Sequence, residues 1–303
     1  MIERVTVPGV EDLMCMNRRW KILGALFLTL FLLGSFLVWN IGSVLMAPAN
    51  HPIGAPPASL HAEPVEFPSA SGAQLHGWRI AGQPGKGVVV LLHGIHANRR
   101  VMVERAKFLS RAGYSVLLFD FQAHGESVGR QITFGYLESR DATAAVDFAR
   151  ATFPGEKIGV IGVSLGGAAA LLASPPLPVQ ALVLESVFPT LWQATEDRMI
   201  DRFGFLGRLA TPLLTVQLKP RLGIGLEDLR PIACAAKISA PKFFIAGAAD
   251  RLTTAQESRA LYAAAAEPKQ FWLIDKAAHV DLHAFAGAEY ETRILEFFGK
   301  YLP

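Results

Sequence analysis

Cysteine is scarce: the 303-residue chain has two, Cys15 and Cys234. So few exclude a disulfide-stapled scaffold and a cysteine-based zinc site. Charge is sparse as well. Only 18% of residues are Asp, Glu, Lys or Arg, against about 25% in an average soluble domain. The 29 basic and 26 acidic side chains leave a net charge of +3, with no basic stripe to follow a nucleic acid. No nucleic-acid partner is therefore expected. No phosphate loop or dinucleotide fingerprint appears, so no cofactor and no metal is expected either. A hydrophobic share of 51% excludes disorder, and no repeat recurs at solenoid periods.

What the chain has instead is a long apolar run. From Ile22 to Ala47 no residue is charged, which exceeds the ~20 residues a membrane span needs. Arg18, Arg19 and Lys21 precede it, and no Lys or Arg follows until Arg79. That asymmetry predicts residues 1–21 inside and the rest outside the membrane, a single-pass anchor with a periplasmic domain if the source is bacterial. Cys15 and Cys234 would then face opposite sides and could not pair. Trp20 and Trp39 suit the two interfaces. A cleaved signal peptide is the alternative, with a cut near Ala47 or Ala49, although its apolar core is usually about 7–15 residues. Residues 48–62 hold Pro48, Pro52, Pro56 and Pro57 and read as an extended linker. Residues 63–303 suit one α/β domain.

That remainder alternates. Residues 63–81 read as an antiparallel hairpin around Ser71-Gly72. Continuous aliphatic runs follow at Val88–Leu92, Ser115–Phe121, Lys157–Val163, Val179–Glu185, 242–247 and Gln270–Ile274. Such runs fit strands buried on both faces. Helical stretches at 98–112, 138–151, 165–174, 254–266 and 286–301 separate or follow them. The pattern predicts a mostly parallel sheet with helices on both faces. In such sheets ligands sit at the carboxyl ends of the strands, so functional residues are sought there.

The pattern G-x-S-x-G occurs twice, around Ser164 and around Ser127. A nucleophilic serine needs a sharp strand-to-helix turn that exposes its hydroxyl. Ser164 directly follows the strand KIGVIGV and precedes LGGAAALLA, so it is the candidate. The helix start also supplies partial positive charge where an oxyanion would form. No helix evidently starts after Ser127. Serine needs a base, and the base an orienting acid. His279 lies five residues after the last strand, with His283 the runner-up. Asp250 follows the strand KFFIAG, with Glu185 its main rival and Asp275 and Asp281 weaker ones. The order Ser164, Asp250, His279 is the chain order expected on this sheet.

Four segments in order, LLHGIHANRR, FDFQAHGES, GVSLGG, and AGAAD with KAAHVDL, resemble the α/β-hydrolase superfamily. The resemblance covers about residues 63–303 and is nearest to its membrane-anchored or secreted esterase and lysophospholipase-like serine hydrolases. It implies an α/β-hydrolase fold with a small cap, here about 188–232, preceded by the transmembrane helix. It implies an oxyanion hole made by the backbone N–H groups of Ile95 and Leu165. His93 is then structural, and Ser127 belongs to a loop beside the site. Gln122 and Ala123 stand where the family has arginine and glycine, which puts the arginine's charge contact in doubt. Ala278 stands where the family often has glycine.

The expected activity is hydrolysis of a carboxylic ester, small-molecule or lipid-like, through an acyl-enzyme. Acyl transfer, or cleavage of a thioester or peptide, uses the same first half-reaction and is the alternative. A silent binding module is a third reading, and the complete set of triad residue types argues against it.

Overall fold

A computed structural model describes residues 10–302, with side chains described from Arg18 onward. The expected inside segment 1–21 lies partly outside the described residues, as does the Cys15 side chain; Cys234 is a free thiol. The chain divides into two units, one up to Val44 and one from Leu45 onward. The first is helix α1 (Val10–Met46) to within its last turn. Its stretch Arg18–Met46 is long and apolar enough to cross a membrane, with a mean hydropathy of 2.3; a signal sequence fits the same description.

In the second unit the expected alternation forms one sheet. Its strands are β2 (Glu63–Pro68), β3 (Gln74–Ile80), β4 (Val88–Leu92), β5 (Ser115–Phe119), β7 (Ile158–Val163), β8 (Ala181–Glu185), β9 (Lys242–Gly247) and β10 (Lys269–Ile274). Their order is β10-β9-β8-β7-β4-β5-β3-β2. The hairpin β2–β3 is antiparallel and β3 pairs antiparallel with β5; the other pairs are parallel.

Why the runs lack alternation is visible at β4. Val88, Val90 and Leu92 enter one core with residues of α3 (Tyr136–Thr152), α4 (Leu165–Leu172) and α9 (Ala255–Ala264). Val89 and Leu91 enter the other with α2 (Val103–Arg111) and α11 (Ala288–Tyr301). A strand covered on both faces has no wet side on which to place polar residues.

Between β8 and β9, where the alternation lapses, stand α5 (Leu191–Phe203), α6 (Gly207–Thr215), α7 (Leu218–Leu222) and α8 (Pro231–Ala235).

The proline-rich segment 48–62 is not a free spacer. Its two-residue strand β1 (Ala49–Asn50) pairs in parallel with β6 (His124–Gly125). Asn50 Nδ2 donates to the carbonyls of Gly125 and Ser127, and the N–H groups of Ile53 and Gly54 donate to Glu126. Ile53 and Leu60 are buried. Proline removes donors and fixes φ, which forbids regular structure but not docking by the residues between.

Candidate active site

Ser164 stands between β7 and α4 with φ 49° and ψ −108°, a conformation non-glycine residues rarely hold. Close packing imposes it. A Cβ on Gly162 would lie 2.6 Å from Gly167 Cα, and one on Gly166 would lie 2.3 Å from the Leu92 carbonyl. Small residues therefore let the start of α4 sit against the ends of both β7 and β4. The Ser164 N–H donates to Glu185 O at 2.8 Å, prolonging the β7–β8 ladder past the last strand residue.

The same contact brings the loop after β4 to the serine. A Cβ on Gly94 would be 3.9 Å from Ser164 Cβ. Ile95 follows Gly94, and Leu165 opens α4. Among the described residues neither backbone N–H has an acceptor. Behind the loop, His93 is fully buried. Its Nδ1 donates to Gly94 O at 2.7 Å, and its Nε2 accepts from the Phe121 N–H at 3.1 Å. Both ring nitrogens are thus committed. Burial, reinforced by the neighbouring His124, pushes its pKa down to about 3, so the ring is neutral.

His279 and Asp250 meet at the carboxyl edge. His279 Nδ1 lies 2.8 Å from Asp250 Oδ2. The Asp250 side chain is fully buried, whereas the imidazole is 22% exposed. Asp250 Oδ1 accepts from the N–H groups of Leu252 and Thr253 at 2.8 and 2.9 Å, which fixes the carboxylate plane. With Nδ1–H turned to the carboxylate, Nε2 is left to accept a proton. Ser164 Oγ makes no hydrogen bond to His279 among the described residues. Such bonds are often long without substrate and tighten when it binds.

The rivals have other partners. Glu185 is buried with Arg105, whose Nη2 lies 2.7 Å from Oε2, and with Tyr290, whose hydroxyl donates to Oε1. Asp281 caps α10 (Leu282–Ala286) and pairs with Arg105 at 2.8 Å. His283 faces Glu291 at 3.0 Å, with its ring against those of Phe108 and Tyr290. Ser127 is fully buried; its Oγ donates to Asp120 O at 2.6 Å and accepts from the His76 N–H at 2.9 Å.

Gln122 answers the doubt over its missing charge. Its Nε2 donates to Glu138 Oε1 at 2.7 Å and to Gln131 O at 2.9 Å, so a neutral amide serves a buried carboxylate. Ala123 has φ 58°, a left-handed conformation that favours the glycine it replaces.

Arg198 escaped the sequence reading. It comes from α5 and donates to Leu252 O at 3.2 Å, the residue whose N–H holds Asp250. Burial lowers its pKa, against the pull of the Asp250, Asp197 and Glu257 carboxylates. Asp197, pressed by burial and by Glu257, is pushed up to about 7. Nothing local in the sequence marks an arginine that acts 54 residues away.

With that geometry in place, the comparisons with known proteins are specific. A family model described as "Serine aminopeptidase, S33" matches residues 83–224, which include Ile95 and Ser164 but end before Asp250. The uncharacterized protein YfhR of Salmonella typhi is 30% identical over 260 residues, 79% of this chain and 80% of that protein. The α/β hydrolase domain-containing protein WAV2 of Arabidopsis thaliana is 27% identical over 270 residues, 84% of each chain. Among solved structures, the Pyrococcus furiosus esterase Pf2001 superposes with a TM-score of 0.69 at 26% identity, over 84% of this chain and 100% of that one.

Proposed function

Since the chain belongs to the α/β-hydrolase superfamily and is a hydrolase by that membership, we propose that it cleaves carboxylic esters with a Ser164–His279–Asp250 triad. The observation that carries the reading is the 2.8 Å contact of His279 with a buried, doubly held Asp250, at the sheet edge where Ser164 occupies a strained turn. In this reading His279 Nε2 takes the Ser164 proton as Oγ attacks the carbonyl. The oxygen then bears negative charge, and the N–H groups of Ile95 and Leu165 receive it. Imidazolium returns the proton to the leaving alkoxide. Water, activated by the same histidine, releases the acid and regenerates the serine. Asp250 holds the tautomer and stabilises the imidazolium.

Fluorophosphonate labelling tests this directly. The wild-type chain should label rapidly and Ser164→Ala should not; rapid labelling of Ser164→Ala would refute it. The family model's description and the name of an Aspergillus aculeatus relative, a thiohydrolase 36% identical over 116 residues, support amide or thioester cleavage as a second reading. A panel of p-nitrophenyl esters, thioesters and aminoacyl p-nitroanilides separates the three.

The charge asymmetry around residues 22–47 supports an uncleaved anchor with its N-terminus inside and the hydrolase domain outside. In a bacterial host, alkaline phosphatase fused after Pro303 should be active; a silent phosphatase with a fluorescent green-protein fusion would place the domain inside.

A further inference from the structure

The segment after β8 carries apolar side chains on a face that ought to be polar. From Leu45 onward, eleven large apolar side chains are exposed among the described residues, and six lie between Phe203 and Val216. These are Phe203, Phe205, Leu206, Leu209, Leu213 and Val216, from 53% to 78% exposed. Helix α6 shows how they arise. Gly207, Thr211, Leu214 and Thr215 are buried, and they recur at the spacing of one helical face. Leu209, Leu213 and Val216 recur at the same spacing on the face left outside. A surface helix normally keeps that face polar. Contiguous exposed apolar surface of this kind marks a contact site.

The charges beside it identify the occupant. From Arg202 to Leu222 the chain has four basic residues, Arg202, Arg208, Lys219 and Arg221, and no acidic one. Arg208 lies 3.7 Å from Glu196, but a second copy docked on the same patch would still bring Arg202, Lys219 and Arg221 against their counterparts, which like-charge repulsion opposes. An anionic lipid surface satisfies both parts, because an interfacial helix buries an apolar face between the headgroups while its basic flanks meet their charge. The chain also carries its own tether. The uncharged run ends at Ala47, two residues before the first strand residue of the domain, so an anchor in that run would raise the effective concentration of lipid for the domain.

We infer that the Phe203–Val216 face docks on an anionic lipid bilayer. This rests on reading residues 22–47 as an anchor. The face is coupled to the site through α5, which ends at Phe203 and, one and a half turns earlier, holds the Asp250 turn through Arg198. Bilayer contact therefore bears on the helix that supports the triad acid.

The test uses the full chain with Cys15→Ser and Cys234→Ser, carrying single cysteines as Phe205→Cys, Leu209→Cys or, as a control, Lys86→Cys, which is exposed in the turn before β4 at the amino edge of the sheet. Each is labelled with an environment-sensitive dye and reconstituted into phosphatidylcholine–phosphatidylglycerol vesicles containing brominated lipid. Labels at 205 and 209 should be quenched about twofold or more, and the label at 86 should not be. Quenching should weaken in phosphatidylcholine alone and at high salt. A chain that resists carbonate extraction but whose labels at 205 and 209 stay unquenched overturns the docking and leaves the anchor standing. Labels that shift to the blue only as protein density rises, without lipid quenching, assign the face to a second copy and overturn it too. Extraction of the chain by carbonate overturns the anchor and the proposal with it.

Discussion

Glu185 is the sharpest test of the assignment, because it is the main rival carboxylate and its backbone carbonyl accepts from the Ser164 N–H. Consider Glu185→Gln. The native carboxylate accepts Arg105 Nη2 at 2.7 Å and Nε at 3.2 Å, and takes the Tyr290 hydroxyl. All three groups are buried. Removing one partner of such a pair typically costs 3–5 kcal/mol, because it strands the other charge. Asp281 remains 2.8 Å from Arg105 Nη2, which places the expected loss at the low end, about 3 kcal/mol. The glutamine keeps one carbonyl oxygen to accept from Arg105, but it lacks the charge that balances the guanidinium. In a domain of this size about 3 kcal/mol lowers Tm by about 6–12 °C. A domain with ordinary stability of about 5–15 kcal/mol remains folded at 25 °C. Calorimetry and ester turnover at 25 °C should therefore disagree: a large drop in Tm, with kcat within about threefold of wild type. If Glu185→Gln silences turnover while its Tm stays within about 2 °C of wild type, the orienting acid is Glu185 and the triad is misassigned.

Three further outcomes follow from the same geometry. Asp250→Asn should lower kcat by about 10⁴ by favouring the wrong imidazole tautomer, and His279→Ala should cost nearly as much as Ser164→Ala; near-normal turnover of either in a p-nitrophenyl ester assay would refute its role. Ser127→Ala should keep fluorophosphonate labelling yet lose about 1–3 kcal/mol in urea unfolding, because the Asp120 carbonyl and the His76 N–H lose their buried partner. Asp141, buried against Ser69 and Gln122, is pushed up to about 6, mainly by burial. The folded state thus keeps a proton that the unfolded chain releases near pH 4, so stability is full below that pH and falls by up to about 3 kcal/mol as pH rises to about 6. In Asp141→Asn that fall should shrink when unfolding is followed from pH 4 to 7; an unchanged slope would show that another group carries it.

The strands and helices of the domain are legible without the structure because burial on both faces writes itself into local sequence. Val88–Leu92 and Ile158–Val163 are apolar throughout, and a rule about strand ends then points to Ser164, Asp250 and His279. Such information is short-range. It set Ser164 above Ser127 by the strand-to-helix context alone, and what occupies the Ser127 hydroxyl was beyond it: that hydroxyl is held by Asp120 and His76, whose partnership depends on how β3 lies beside β5. It read the prolines of residues 48–62 as extended chain, yet docking depends on Glu126 and Gly125, more than 70 residues away. It could rank Asp250 above Glu185 only by position. In the folded chain Arg105, 80 residues before Glu185, and Tyr290, 105 after it, close on the Glu185 carboxylate, while His279 lies against Asp250. Periodicity tells a residue which face it occupies, but strand order and register choose its partner, and only the folded sheet supplies those.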